Sequence, residues 1–166
     1  MLKSKFAKNI YSIWILLVAL FLQGCDEQVF YHTYRNIPLE GWALNDTLYF
    51  TLSISDSTFT HYQYDVEIRH QENYKYKELI LLLQHDQSNQ LMYDTLHITT
   101  SQHHGQWIGK GIGKLFQTQI SKGYISSADT CQFKIIHLMP DSLLIGINEV
   151  GIKLSALHDP HQFEEK

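Results

Sequence analysis

The sequence predicts an all-β protein: an antiparallel β-sandwich, immunoglobulin-like in outline, with seven to eight strands. Three observations predict it. Tyr62, Tyr64, Val66 and Ile68 alternate with Gln63, Asp65, Glu67 and Arg69, and a period of two marks a half-buried strand. Ten Tyr, eight Phe and three Trp stand beside only three Pro, a mix that favours pleated strands. Beyond the first 24 residues no convincing helical period occurs, and turn-forming clusters punctuate the chain at regular, short intervals. Short strands so spaced read as a sandwich, with a small barrel as the alternative.

Taken in order, the chain begins with Lys3, Lys5 and Lys8, then an apolar run from Ile10 to Leu22. The run would span roughly 20 Å as a helix, short of the ~30 Å hydrocarbon core. Its length and flanking charge fit a signal peptide better than a membrane span. Leu22, Gln23 and Gly24 lead into Cys25. The whole resembles a bacterial lipoprotein signal with its lipobox, in which residues 1–24 are removed and Cys25 is lipidated. That resemblance implies a cell-envelope protein, held to a membrane through lipid on Cys25, in an oxidising compartment. Residues 25–40 read as the lipidated terminus and a tether. Val29, Phe30, Tyr31 and Tyr34 make part of it apolar enough to dock as an edge strand.

Removing residues 1–24 leaves 142 residues, one domain's length. They carry 10 Lys+Arg against 17 Asp+Glu, a formal charge of −7. No basic patch points to nucleic acid, and an anionic membrane surface would repel the domain, so the lipid must supply the anchoring. With Cys25 taken by lipid, Cys131 has no intrachain partner, which excludes a disulfide framework. Cys131 alternates with Phe133 and Ile135 and reads as a small buried apolar residue.

The sandwich domain is assigned to residues 41–154. Asn45-Asp46 signals a turn. Leu48, Phe50, Leu52 and Ile54 then form one face of a strand, and 55–58 the next turn. After the strand through Tyr62 to Ile68 comes a polar loop from Gln71 to Lys77. Leu79 to Leu83, five consecutive apolar residues, suits a central strand covered on both faces. Residues 85–89 read as a hairpin loop, and Leu91 to Ile98 as its partner strand. Leu115 to Ile120 makes a short strand and Ser121 to Asp129 a loop. Thr130 to Met139 is a long strand ended by Pro140. Ile145 to Leu154 closes the domain, with Gly151 marking a bulge or a close backbone approach. Residues 155–166 read as a flexible tail.

No catalytic residues, cofactor or metal ligands are expected. Gly109, Gly111 and Gly113 sit between Lys110 and Lys114, but a phosphate loop would need Lys followed by Ser or Thr and then a helix. Leu115 follows instead, so a bulged or close-packed strand accounts for the glycines. Ten histidines, including His61, His70, His85, His97 and the adjacent His103 and His104, show no zinc-site spacing. Asp65 and Glu67 share a strand face and read as solvated. Tyr74, Tyr76 and Trp107 lie near loops, where aromatics form either a partner-binding surface or packing.

Several motifs recur together: the lipobox; Gly41-Trp42 with Asp46-Thr47; Tyr74-x-Tyr76; Asp94-Thr95-Leu96; Gly105-x-Trp107-x-Gly109-x-Gly111; and the closing Glu149-Val150-Gly151-Ile152-Lys153-Leu154. In their order and spacing, from about Val29 to Leu154, they resemble the gliding-motility lipoprotein GldH family of the Bacteroidetes. The resemblance implies a non-enzymatic structural or assembly lipoprotein tied to the gliding machinery and the linked type IX secretion apparatus. It implies envelope proteins as partners and the outer membrane as location, where Asp26-Glu27 after Cys25 resembles a surface-export signal. The histidine- and glutamine-rich loops depart from the family's pattern. A glycan- or small-ligand-binding envelope lipoprotein is the alternative function.

Overall fold

The computed structural model describes residues 28–53, 61–87, 90–102, 105–126 and 130–156. The signal peptide, Cys25, the 55–58 turn, His103, His104 and residues 157–166 lie outside them. The described residues form eleven strands and no helix: β1 (Val29–Asn36), β2 (Trp42–Ala43), β3 (Leu48–Ser53), β4 (His61–Gln71), β5 (Glu78–Gln87), β6 (Gln90–Thr99), β7 (Lys110–Ile112), β8 (Leu115–Ser126), β9 (Thr130–His137), β10 (Leu143–Leu144) and β11 (Ile147–Ala156). One sheet runs β1-β11-β4-β8-β7, a second β3-β9-β5-β6, and β10 pairs with β2 in a short ribbon. Every pairing is antiparallel. The count exceeds the expected seven or eight because β2, β7 and β10 have only two or three residues each, too few to show a period.

The alternation seen in the sequence decides which side chains face inward. In β4, Tyr62, Tyr64, Val66 and Ile68 are buried; in β5, Leu79, Leu81 and Leu83; in β9, Cys131, Phe133 and Ile135; in β11, Val150, Ile152 and Leu154. They form one core between the sheets, where Tyr64 of β4 meets Phe133 of β9 edge-on at 5.3 Å. Each such side chain contributes roughly 1.5–3 kcal/mol by leaving water. In Leu79 to Leu83 the expected cover on both faces is only half present, since Ile80 and Leu82 are half-buried.

Two sequence expectations are corrected. The loop proposed from Ser121 to Asp129 is strand as far as Ser126. Ser121 pairs with Asp65 and Gly123 with Tyr64, so Lys122 is an extra residue at a bulge, and a bulge erases the period of two. Likewise β5 continues through His85, Asp86 and Gln87 before the hairpin turns.

The strands define two ends. At one lie Gln28, Ser53, His61, Gln87, Gln90, Ser126, Thr130 and Ala156. At the other lie the connections 37–47, 72–77, 100–109 and 138–146. β1 closes one edge of its sheet along β11, from Val29 opposite Ser155 to Asn36 opposite Glu149.

Candidate functional site

The loop end opposite Gln28 gathers most of the unusual chemistry. The 71–77 connection folds back as a tight turn, with the Tyr74 amide donating to Gln71 O at 3.1 Å. The Tyr74 hydroxyl donates to Glu78 O at 3.1 Å. Tyr74 and Trp107, both picked out by the sequence, converge here on His70, and Tyr76 lies against Tyr74. The His70 ring lies 4.9 Å from Trp107, 5.8 Å from Tyr74 and 5.7 Å from Phe116, and Tyr74 lies 5.9 Å from Tyr76. Tyr74 is buried, so it packs and presents no surface to a partner; Tyr76 and Trp107 are half-buried. Burial holds the Tyr74 phenol well above its ordinary pKa, with a smaller push from Tyr76.

Beside this cluster, β2 and β10 carry a second one. Trp42 is buried, donates through Nε1 to Asp46 O at 2.9 Å, and meets the His137 ring edge-on at 5.2 Å. His137 Nε2 lies 3.1 Å from Trp42 O. Among the described residues His70 Nε2, His85 Nδ1 and His137 Nδ1 have no hydrogen-bond partner. Burial lowers the pKa of His70 and of His137, against weaker upward pulls from Gln71 O on the first and from Trp42 O, Asp141 and Ala43 O on the second. Both rings are therefore neutral near pH 7.

The sign of the pH effect follows. The unfolded chain takes up protons near pH 6.5, where the folded rings still resist them. Stability from the neutral rings is complete above that pH and is lost as pH falls toward the depressed folded values. Denaturant titration should show the domain less stable at pH 5 than at pH 7, and His137→Leu should flatten the dependence. An identical pH profile in that variant would contradict this account.

An open cleft lies against the same end, lined by Asn73, Lys75, Asp141, Ser142, Leu143 and Ile145. Lys75 Nζ sits 2.8 Å from Asp141 Oδ2, and this contact raises the pKa of the lysine and lowers that of the aspartate. Around it Leu39, Leu44, Leu138, Leu143 and Ile145 are exposed, Leu39 at 89 %. The apolar residues come from two segments that β2 and β10 bring together, Leu143 standing opposite Ala43.

The outer face of the five-stranded sheet corrects the reading of Asp65 and Glu67 as solvated. They are 1 % and 2 % exposed. Glu67 accepts from the Tyr34 hydroxyl and from Gln117 Nε2 at 3.2 Å, and lies 3.0 Å from His32 Nε2. Asp65 lies 3.3 Å from Lys153 Nζ. Tyr34 reaches from β1 across β11 because Gly151 lies in between; a Cβ there would be 2.7 Å from the Tyr34 ring. The Arg69 guanidinium stacks 3.8 Å from the ring centroid and is held by Glu149 at 2.6 Å. Burial, then the Glu67 carboxylate, pushes the Tyr34 phenol well above its ordinary pKa. Tyr34, Gln117 and His32 all gather on Glu67 Oε2, so this buried carboxylate ties β1 and β8 to β4.

The remaining candidates are structural. Gly109 adopts φ +99°, and a Cβ would fall 1.8 Å from Gln117 O, so a close approach of backbones explains this glycine. Lys114 pairs with Glu72 at 2.6 Å. Cys131 is buried, its thiol pushed up to about 11 by burial. Among the described residues no group of His, Cys, Asp or Glu is arranged to hold a metal ion. Cys25 lies outside them.

Residues 29–154 match the family GldH lipoprotein. A gliding motility lipoprotein GldH homolog from Christiangramia forsetii is 25 % identical over 115 residues, covering 68 % of this chain and 69 % of the relative. Among solved structures, dimeric latent PorU from Porphyromonas gingivalis aligns with 80 % of this chain and 14 % of its own, at 10 % identity and a TM-score of 0.35, a score too low to bear on fold or function. The family match spans nearly the whole sandwich, from the edge strand β1 to the closing strand β11, and the chain belongs to the GldH lipoprotein family.

Proposed function

We propose that this is a lipid-anchored envelope lipoprotein that works as a non-enzymatic structural or assembly component of the gliding-motility machinery and its linked type IX secretion apparatus. Cys25 carries the lipid, and the outer membrane is the location. The family and the name of the Christiangramia forsetii relative support the lipoprotein and its motility system. The observation that carries the binding role is the set of exposed apolar residues Leu39, Leu44, Leu143 and Ile145 on and flanking the β2–β10 ribbon. Clustered apolar side chains rimmed by an ion pair are a common form of protein-docking surface.

A photo-crosslinking residue placed at Leu39 or Ile145 should capture discrete envelope proteins in living cells, and one placed at Gln119 on the exposed outer sheet face should not. Equal capture from all three positions, or none from the first two, would remove the basis for this reading. The alternative, glycan or small-ligand binding, rests on the cleft with Asn73 and Asp141. None of its lining residues among the described ones is aromatic, whereas sugars are commonly held by stacking on rings. A glycan-array signal abolished by Asp141→Ala would favour the alternative.

A further inference from the structure

We infer that the end of the sandwich nearest Cys25 rests on the bilayer, its exposed apolar side chains seated among neutral, zwitterionic headgroups. The inference deepens the lipid-anchor reading above and rests on it.

Gln28 is already fixed in the fold, its carbonyl accepting from the Ala156 amide at 2.9 Å. Only Asp26 and Glu27 separate it from Cys25. Whatever their conformation, that connection reaches at most about 11 Å. A headgroup layer is roughly 5–8 Å deep, so a lipid on Cys25 holds the Gln28 end at the membrane surface.

The surface there suits that place. The strand register puts Gln28 beside Ala156, Tyr62 and Ile125 in one row of the five-stranded sheet. One row further in stand Val29, Ser155, Gln63 and Tyr124. In the facing sheet, β6 starts at the same end with Leu91, Met92 and Tyr93 exposed by 47, 44 and 58 %. Val29 and Tyr124 are exposed as well. Tyrosines flanking aliphatic residues, each with an apolar body and a wet tip, are the composition found at membrane interfaces. The mature chain's formal charge of −7 opposes anionic lipid, which leaves zwitterionic headgroups as the surface it fits.

The opposite loop end cannot take part. β4 has 11 residues, about 35 Å of strand, so Leu39 and Ile145 stand clear of that bilayer. Two contacts, lipid and protein surface, would fix the orientation and point the distal ribbon away from the membrane.

The test uses the lipidated protein purified from cells and reconstituted into phosphatidylethanolamine–phosphatidylcholine vesicles with brominated acyl chains. The native Trp42 and Trp107 belong to the distal end and should keep their emission. Leu91→Trp, and separately Tyr93→Trp, should lose most of the added emission to bromine quenching. Quenching no greater than in the parent protein would overturn bilayer contact while leaving the anchor intact. Mass spectrometry of the same sample separates the two claims, since a Cys25 without lipid would overturn both.

Discussion

Cys25→Ala is expected to release the protein from membranes while leaving the sandwich folded. A single acyl chain gives only marginal, reversible binding, at about 0.8 kcal/mol per buried CH₂, and stable anchoring takes two signals. A lipobox cysteine carries at least two chains. Without them the domain has little to hold it, since its formal charge of −7 repels anionic lipid. The seat proposed for Val29, Leu91 and Tyr124 involves partly exposed side chains that do not amount to an acyl chain. An uncleaved leader would itself hold the variant in the membrane through its apolar run from Ile10 to Leu22, so the comparison is made on variant protein whose N-terminal sequence shows that residues 1–24 are gone. The described fold begins at Gln28, after Cys25. Fractionation after an alkaline wash should move nearly all of the variant to the soluble phase, and its thermal midpoint should match the parent's. A variant that stays in washed membranes would refute the anchor.

The core was legible in the sequence because strand alternation sorts inward from outward residues without knowledge of the partner. The same rule also identifies residues that were passed over. His70 continues the row Tyr62, Tyr64, Val66, Ile68; His85 continues Leu79, Leu81, Leu83; His137 continues Phe133 and Ile135. All three are buried, and parity alone could have placed them there. What alternation cannot reveal is what covers the outer face. Glu67 is buried by Tyr34 and His32, more than 30 positions away, and only the register of β1 on β11 brings them together. The convergence of Tyr74 and Trp107 on His70 was hidden for the same reason. The exposed ribbon was invisible because strands of two residues have no period.

Gly151→Val is expected to be among the most damaging single changes on the outer face. A Cβ at this position would lie 2.7 Å from two Tyr34 ring carbons, closer than packed atoms come, so the ring must move. It is not free to move. Its hydroxyl is bound to Glu67, and Arg69 lies 3.8 Å from its ring centroid, itself fixed by Glu149 and by Gln117 Oε1. Displacing the ring costs about 1–3 kcal/mol of overpacking, and losing a hydrogen bond to a charged acceptor about 1.5–3 more. Replacing glycine in a strand returns roughly 0.5–1 kcal/mol, leaving a net loss of about 1.5–5.5 kcal/mol. For a domain of this size that lowers the thermal midpoint by roughly 5–20 °C. The effect should also loosen β1, the strand next to the anchor, which hydrogen exchange of the Val29–Asn36 amides would report. The decisive comparison is the same change in a Tyr34→Ala background. If the clash with Tyr34 is the cause, Gly151→Val becomes neutral or mildly stabilising there. If the two losses simply add, the valine is harming something else and the explanation fails.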